Sequence, residues 1–161
     1  MSRTVEEAKQ ELRDNWENGV NCECCGQLVK LYRRKLNSSM ARTLINMYNA
    51  KADFNWVHRN NFKAVSNDYS YLRYWGLIQE KKLEYNSEKK NSGYWGITNK
   101  GREFVKGNSR VPSHIRLFNQ KFYGFEGKEV TITDCLGSKF NYDELLNTKA
   151  RFNGYKPELE N

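Results

Sequence analysis

The sequence has no apolar run approaching the roughly 18 residues that a helix needs to cross a bilayer. A signal-peptide core is also missing, because Met1-Ser2-Arg3 leads directly into a polar segment. We therefore expect no membrane association and a cytoplasmic protein. The 161 residues suffice for one compact domain with appendages, or for a small domain with a subdomain.

Histidine is scarce, and its scarcity argues against catalysis. The two histidines, His58 and His114, lie in unrelated contexts, and no serine, cysteine or carboxylate motif pairs with either. No glycine loop suited to cradling a phosphate is present. Asp134, Asp143 and Glu144 are explained more simply as strand-end and helix-cap residues than as a metal-ion site. We therefore do not expect an enzyme.

Cysteine is too sparse for a disulfide framework in a chain of this length. Three of the four cysteines are packed into Cys22-Glu23-Cys24-Cys25. The spacing Cys22-x-x-Cys25-Gly26 is typical of a zinc knuckle, in which two thiolates lie on a tight turn and the glycine lets backbone amides point at the sulfurs. Zinc at Cys22 and Cys25 is therefore a candidate cofactor.

Tetrahedral zinc takes four ligands, and the sequence has no second CxxC. The other Cys and His residues are Cys24, His58, His114 and Cys135. Two knuckles from two subunits would also supply four thiolates. The alternative is a reduced turn with small, partly buried thiols. A redox pair is disfavoured because the strand and helix of a βαβ unit do not surround the motif.

The chain is basic and rich in aromatic residues. Lys and Arg outnumber Asp and Glu by 27 to 19, the formal net charge is +8, and aromatic residues make up 14% of the sequence. This composition favours a polyanionic partner, although many soluble proteins are mildly basic. One basic strip is local and consists of Lys30, Arg33, Arg34 and Lys35.

Two helices are predicted in the first third of the chain. Thr4 and Glu7 have the spacing of a capping box, so a helix should begin there. Its apolar stripe would be Val5, Ala8, Leu12 and Trp16. Such a stripe can dock on its own domain or on a second subunit. Asn37-Ser38-Ser39 supplies cap residues for a second helix over 38–51, where apolar residues recur at helical spacing.

A third helix is predicted after a short strand within 53–57. Ser66 or Asn67 would cap it, and it would run to Trp75 and end at Gly76, which suits a left-handed helix stop. The i, i+3, i+6 spacing then directs three residues inward, namely Tyr69, Leu72 and Trp75.

Two strands should follow, over 77–85 and 93–98, joined by a polar loop at 86–92 with two adjacent lysines. Thr98 would then cap a helix in which Gly101 permits close approach. Residues 108–112 have the composition of a linker. In the last third we predict strands within 114–127 and over 129–133, a short helix that starts at Asn141 and a frayed tail from residue 148.

This order of parts, with the phrase GLI followed by Y-x-x-I-T-x-x-G-R-x-F, resembles winged helix-turn-helix regulators of the MarR and PadR kind and their phage-encoded relatives. A second resemblance covers most of the chain. The CxxCG motif and the segments LNSSMARTLINMY and SNDYSYLRYWGLI are similar to those of a family of small phage proteins. The resemblance implies an α+β fold in the cytoplasm of a host cell, and a homodimer that uses terminal helices. The segments would be an N-terminal helix and CxxC knuckle (1–36), a winged-helix domain (37–107), a β-rich extension with a short helix (108–147) and a flexible tail (148–161).

The resemblance and the basic charge together predict a transcription regulator that binds duplex DNA through the 66–75 helix and the 86–92 wing. Asn67 would pair with an adenine, Arg73 with a guanine or phosphate, and Ser70 and Tyr71 with phosphate or a thymine methyl group. The full predicted set is Lys63, Asn67, Ser70, Tyr71, Arg73, Tyr74, Lys89, Lys90, Arg33 and Arg34.

The alternative is a protein-interaction module that binds and inhibits or redirects a host protein. The predicted recognition helix has one basic residue, Arg73, beside Asp68, and it is rich in aromatic residues. These are Tyr69, Tyr71, Tyr74 and Trp75. Aromatic side chains are enriched at protein interfaces, so the same helix suits a protein surface.

Overall fold

The computed structural model describes residues 4–83 and 91–146 as a mixed α+β fold with antiparallel sheets. Its elements are α1 (Val5–Asn15), β1 (Val20–Asn21), β2 (Leu28–Val29), β3 (Tyr32–Lys35), α2 (Ser38–Asn49), β4 (Val57–His58), a short 3₁₀ helix (Arg59–Asn61), a long 3₁₀ helix (Asn67–Trp75), β5 (Ile78–Glu80), β6 (Tyr94–Ile97), α3 (Asn99–Val105), β7 (Val111–Phe118), β8 (Lys121–Val130), α4 (Ile132–Leu136) and α5 (Tyr142–Leu146). Within this part of the chain, no helix combines the length and the apolar character that a bilayer span requires.

The chain divides into two compact units. The described part of unit 1 is 4–35 with 114–127, and that of unit 2 is 36–113 and 128–146, without 84–90. The predicted extension 108–147 is therefore shared between the two units.

Unit 1 begins with the predicted capping box. The Thr4 amide donates to Glu7 Oε1 (2.9 Å) and the Glu7 amide donates to Thr4 Oγ1 (3.1 Å), so the helix start is confirmed. The predicted apolar stripe is only partly covered, since Val5 is 68% exposed. Trp16, just beyond α1, packs its ring on Phe118 and Tyr123, with centroids 5.4 and 5.0 Å apart.

The sheet of unit 1 has the order β3-β7-β8, and β3 pairs with β7 in antiparallel register. The prediction of a linker over 108–112 is wrong at its end, because β7 already begins at Val111, which is fully buried. Pro112 precedes the ladder with β3, which starts at His114, so its missing N–H takes no hydrogen bond from that ladder.

Unit 2 is built around α2, which packs against the long 3₁₀ helix, α3, α4 and α5. Its predicted start is confirmed, since Asn37 Oδ1 accepts a hydrogen bond from the Met40 amide (2.9 Å). The helix ends at Asn49, two residues before the predicted end, and Lys51 adopts a left-handed conformation with φ of 70°. The buried residues of α2 are Met40, Ala41, Thr43, Leu44, Ile45 and Met47.

The sheet of unit 2 has the order β4-β6-β5 and is smaller than predicted. Of the predicted strand 77–85 only Ile78–Glu80 forms, and residues 84–85 lie outside the described residues. Of the predicted strand 53–57 only Val57 belongs to β4. Thr98 caps α3 as predicted by accepting a hydrogen bond from the Gly101 amide (3.0 Å).

The predicted strand over 129–133 is wrong beyond Val130, where β8 ends. Thr131 instead caps α4: its hydroxyl accepts from the Asp134 amide (3.2 Å), and Asp134 Oδ2 accepts from the Thr131 amide (2.9 Å). The hydrogen bonds that the Asp134 carboxylate accepts from the Thr131 backbone and side chain lower the pKa of Asp134. The predicted start of α5 is confirmed by the Glu144 amide, which donates to Asn141 Oδ1 (2.9 Å). The predicted tail from residue 148 lies outside the described residues.

Candidate nucleic-acid interface

The predicted helix at 66–75 is present, but it is a 3₁₀ helix of nine residues. Ser66 Oγ accepts a hydrogen bond from the Asp68 amide (3.3 Å) at its start, and Gly76 ends it with φ of 77°. A 3₁₀ helix has three residues per turn, so side chains three apart lie above one another. The helix therefore carries three rows of side chains, and each row has its own environment.

The first row is the core row, Tyr69, Leu72 and Trp75, and all three residues are buried as predicted. Trp75 also donates from its indole nitrogen to the carbonyl of Pro112 (2.6 Å). Because the apolar residues recur at every third position, the helix buries its whole apolar row by keeping three residues per turn.

The second row, Asn67, Ser70 and Arg73, lines a cleft of about 260 Å³, and we call it the cleft row. The short 3₁₀ helix, β5 and the start of β6 close the cleft. The other lining residues are Arg59, Tyr69, Glu80, Asn91, Gly93 and Trp95. The structure thus brings three predicted DNA-binding residues together at one place.

The chemistry of the cleft centres on the buried hydroxyl of Tyr69. Burial raises the pKa of this phenol, the nearby Arg59 guanidinium opposes that rise, and the Glu80 carboxylate adds to it. The side chain of Trp95 hydrogen-bonds to the same hydroxyl. Arg59 and Arg73 therefore line the cleft together with one carboxylate residue and neutral polar residues. Such a set suits phosphate oxygens or the edge of a base.

The third row is the tyrosine row, Asp68, Tyr71 and Tyr74. The rings of Tyr71 and Tyr74 stack with centroids 6.2 Å apart and an interplanar angle of 26°. Arg73 reaches across from the cleft row, places its guanidinium 4.9 Å from the Tyr74 ring centroid and donates to the Tyr74 hydroxyl (3.1 Å). Tyr74 therefore positions the one basic side chain of the helix.

Two further predicted contacts lie outside the cleft. Lys63 is exposed and is absent from the cleft lining, and its carbonyl accepts a hydrogen bond from Asn46 Nδ2 (2.6 Å), which fixes the approach to the long 3₁₀ helix. Lys89 and Lys90 of the predicted wing lie outside the described residues. The base of that wing is closed by Ser92 Oγ, which donates to the carbonyl of Lys81 (2.6 Å).

Arg33 and Arg34 belong to β3 in unit 1 and so lie in a different unit from the cleft. Arg33 faces Arg116 directly across the β3–β7 ladder, an arrangement of like charges that is destabilising unless it is compensated. Glu17 and Glu126 supply the compensation, because each contacts both arginines. A phosphate would therefore have to compete with two carboxylates for Arg33.

Sequence reasoning missed several members of the cleft, and two of these are Glu80 and Trp95. They are Cα partners in the β5–β6 ladder. The available signal was the alternation of side chains along the two strands, which places them on the face opposite Gln79 and Gly96. The register that joins them depends on the loop between the strands, and this register cannot be obtained from either strand alone.

The CxxC motif forms a tight turn at the tip of the β1–β2 hairpin. Backbone amides of Cys25 and Cys24 hydrogen-bond to the Cys22 sulfur and lower its pKa, and the charge of Cys22 raises the pKa of Cys24.

All four cysteines lie in the described residues, and none is disulfide-bonded. Over 4–83 and 91–146, no three Cys, His, Asp or Glu side chains are grouped so as to hold a metal ion. The predicted further ligands Cys24, His58, His114 and Cys135 do not complete such a group.

The candidate interface in unit 2 therefore consists of two adjacent rows of one 3₁₀ helix. The cleft row faces polar and charged groups, and the tyrosine row offers stacked rings. A comparison of the chain with protein-family models, with curated proteins and with solved structures finds no match.

Proposed function

We propose that this chain is a winged-helix DNA-binding protein of the kind that phages encode, and that it regulates transcription in the cytoplasm of the host cell. It binds duplex DNA through the long 3₁₀ helix and the 86–92 wing. The observation that carries this proposal is the cleft row, since Asn67, Ser70 and Arg73 line one cleft together with Arg59. The net charge of +8 supports a polyanionic partner.

The cleft row has the side chains that read or hold DNA. Asn67 has the amide that pairs bidentately with adenine, and Arg73 has the planar fork that fits guanine or a phosphate. Ser70 and Arg59 suit backbone oxygens. Nine residues at about 2.0 Å rise give a helix of about 18 Å, long enough to lie across a major groove about 12 Å wide.

Fluorescence anisotropy with labelled duplex DNA at low salt tests the proposal. Arg73→Ala and Arg59→Ala should each weaken binding by roughly 5- to 100-fold and make it less dependent on salt. The matched control is Lys106→Ala, which removes one positive charge from an exposed side chain at the end of α3, outside the cleft. Its affinity should stay close to that of the unmodified protein.

Two outcomes would contradict the proposal. One is a folded protein with no affinity for any duplex. The other is an equal loss of affinity in Lys106→Ala and Arg73→Ala, because binding would then depend on net charge alone and the cleft row would have no special role.

A second candidate function is supported by the tyrosine row. Stacked, half-buried tyrosines are typical anchors of protein interfaces, so a host protein is the alternative partner. A pull-down from host lysate treated with nuclease tests it, with Tyr71→Ala as the variant because Tyr74 also supports Arg73. Loss of every partner on nuclease treatment, or retention of all partners by Tyr71→Ala, would exclude this function.

A further inference from the structure

The tip of the β1–β2 hairpin is held in one conformation by its own backbone. The Cys22 amide donates to the carbonyl of Gln27, and the Gly26 amide donates to the carbonyl of Cys22, both at 2.8 Å. Gly26 has φ of 77°, and a Cβ added there would meet nothing within 4 Å. Glycine is therefore required at this position for its conformation and not for lack of space.

This conformation places a ready acceptor of a metal ion at the tip. The hydrogen bond from the Gly26 amide to the Cys22 carbonyl closes the turn that carries Cys22 and Cys25. Cys25 is exposed on the same turn. Two cysteines on one tight turn supply half of the four ligands of a tetrahedral zinc site.

The part of one chain that the structure describes does not supply the other half. All six Cys and His residues of the sequence lie in the described residues, and no three potential ligands are grouped among 4–83 and 91–146. His58 and Cys135 belong to unit 2, whereas the hairpin belongs to unit 1. Structural zinc takes four ligands, so two thiolates from one chain leave two positions to be filled.

The hairpin also lets two basic chains approach each other without Lys or Arg at the point of contact. Residues 20–29 contain one acidic residue, Glu23, and no Lys or Arg, although the chain as a whole has a net charge of +8. Leu28 on the same hairpin is 59% exposed and offers an apolar contact beside the tip. A second copy meets these conditions by symmetry, because a twofold axis brings identical patches together.

We propose that the hairpin 20–29 is one half of a zinc site that is completed by the same hairpin of a second copy, so that Cys22 and Cys25 from two chains bind one ion. This inference does not depend on DNA binding, although a dimer would also present two copies of the long 3₁₀ helix. Cys24 lies on the same turn but is not a ligand in this arrangement.

Metal titration of the reduced full-length protein tests the proposal, with zinc for stoichiometry and cobalt(II) as a spectroscopic probe that reports the number of bound thiolates. Light scattering gives the mass. We expect one zinc per two chains and a cobalt(II) spectrum typical of four bound thiolates. The mass should double when metal is added and return to that of one chain when a chelator removes the metal. Cys22→Ser and Cys25→Ser should abolish metal binding and dimerisation, and Cys24→Ser and Cys135→Ser should retain both.

Several results would overturn the assignment. They are the absence of stoichiometric zinc, one zinc per chain at the mass of a single chain, or a dimer that persists after chelation. Loss of metal in Cys24→Ser would do so as well. The chelation experiment uses the unmodified protein, so its result does not depend on whether any variant folds.

Discussion

Gly101 is the position where one added methyl group should be most damaging. It lies in the first turn of α3, directly against Leu77, the residue that precedes β5. A Cβ there would be 2.0 Å from the carbonyl oxygen of Leu77 and 2.8 Å from Cγ2 of Ile97. The same carbonyl accepts the hydrogen bond of the Thr98 amide (3.1 Å) that starts α3. Gly101→Ala therefore forces the helix and the chain after Gly76 apart.

Two opposing effects determine how much Gly101→Ala changes the free energy of unfolding. Alanine gains about 1 kcal/mol over glycine in a helix interior. Relieving a 2.0 Å contact needs a separation closer to the ~3.5 Å of ordinary carbon contacts, and overpacking of this kind costs about 3 kcal/mol. Weakening of the Thr98 hydrogen bond adds about 1 kcal/mol. The steric cost dominates, and we expect a net destabilisation of about 3 kcal/mol.

Urea unfolding followed by tryptophan fluorescence measures this difference. The matched control is Gly107→Ala, where φ is 83° and an added Cβ meets nothing within 4 Å. That variant should be destabilised only by about 1–2 kcal/mol, which is the cost of placing alanine in the left-handed conformation. If Gly101→Ala proves as stable as the unmodified protein, or more stable than Gly107→Ala, the close packing of α3 on the Leu77 carbonyl is incorrect.

Three further changes test other parts of unit 2. Asn37→Ala removes the side-chain cap of α2 and should cost about 1 kcal/mol, measured by thermal denaturation. Thr43→Val should cost about 1–3 kcal/mol in urea unfolding, because the buried Thr43 hydroxyl accepts the hydrogen bond of the Val65 amide (2.9 Å). Burial raises the pKa of Tyr142 and of Tyr69, so the stability that each contributes is complete below about pH 10 and is lost as the pH rises above it. Tyr142→Phe should therefore show a smaller alkaline loss of stability in a pH series of urea titrations, and an unchanged alkaline loss would refute this reading.

Helix starts could be predicted from the sequence because their chemistry is local. The caps at Thr4, Asn37, Thr98 and Asn141 each join a side chain to a backbone amide three residues further along, and all four are confirmed. The start at Thr131 has the same pattern. It was missed because the alternation of Val130 and Ile132 with polar neighbours favoured a strand.

Pairings between distant parts of the chain could not be predicted in this way. Arg33 looked like part of a basic strip, yet it pairs across a ladder with Arg116 and contacts Glu17 and Glu126. No residue near Arg33 in sequence indicates that partnership. The early start of β7 also involves a distant partner, because the Pro112 carbonyl accepts a hydrogen bond from the Trp75 indole, 37 residues away in the chain.

The long 3₁₀ helix shows how a correct spacing can accompany an incorrect helix type. Burial of Tyr69, Leu72 and Trp75 fits both an α-helix and a 3₁₀ helix, since a spacing of three is close to one turn of either. The rest of the surface distinguishes them. In an α-helix, residues three apart are offset by about 60°, so Asn67, Ser70 and Arg73 would spread over about 120°. Three residues per turn align them on one cleft and align the tyrosine row beside it. The proposed DNA binding and the alternative protein binding would therefore depend on different rows, and substitutions in one row at a time would distinguish the two proposals.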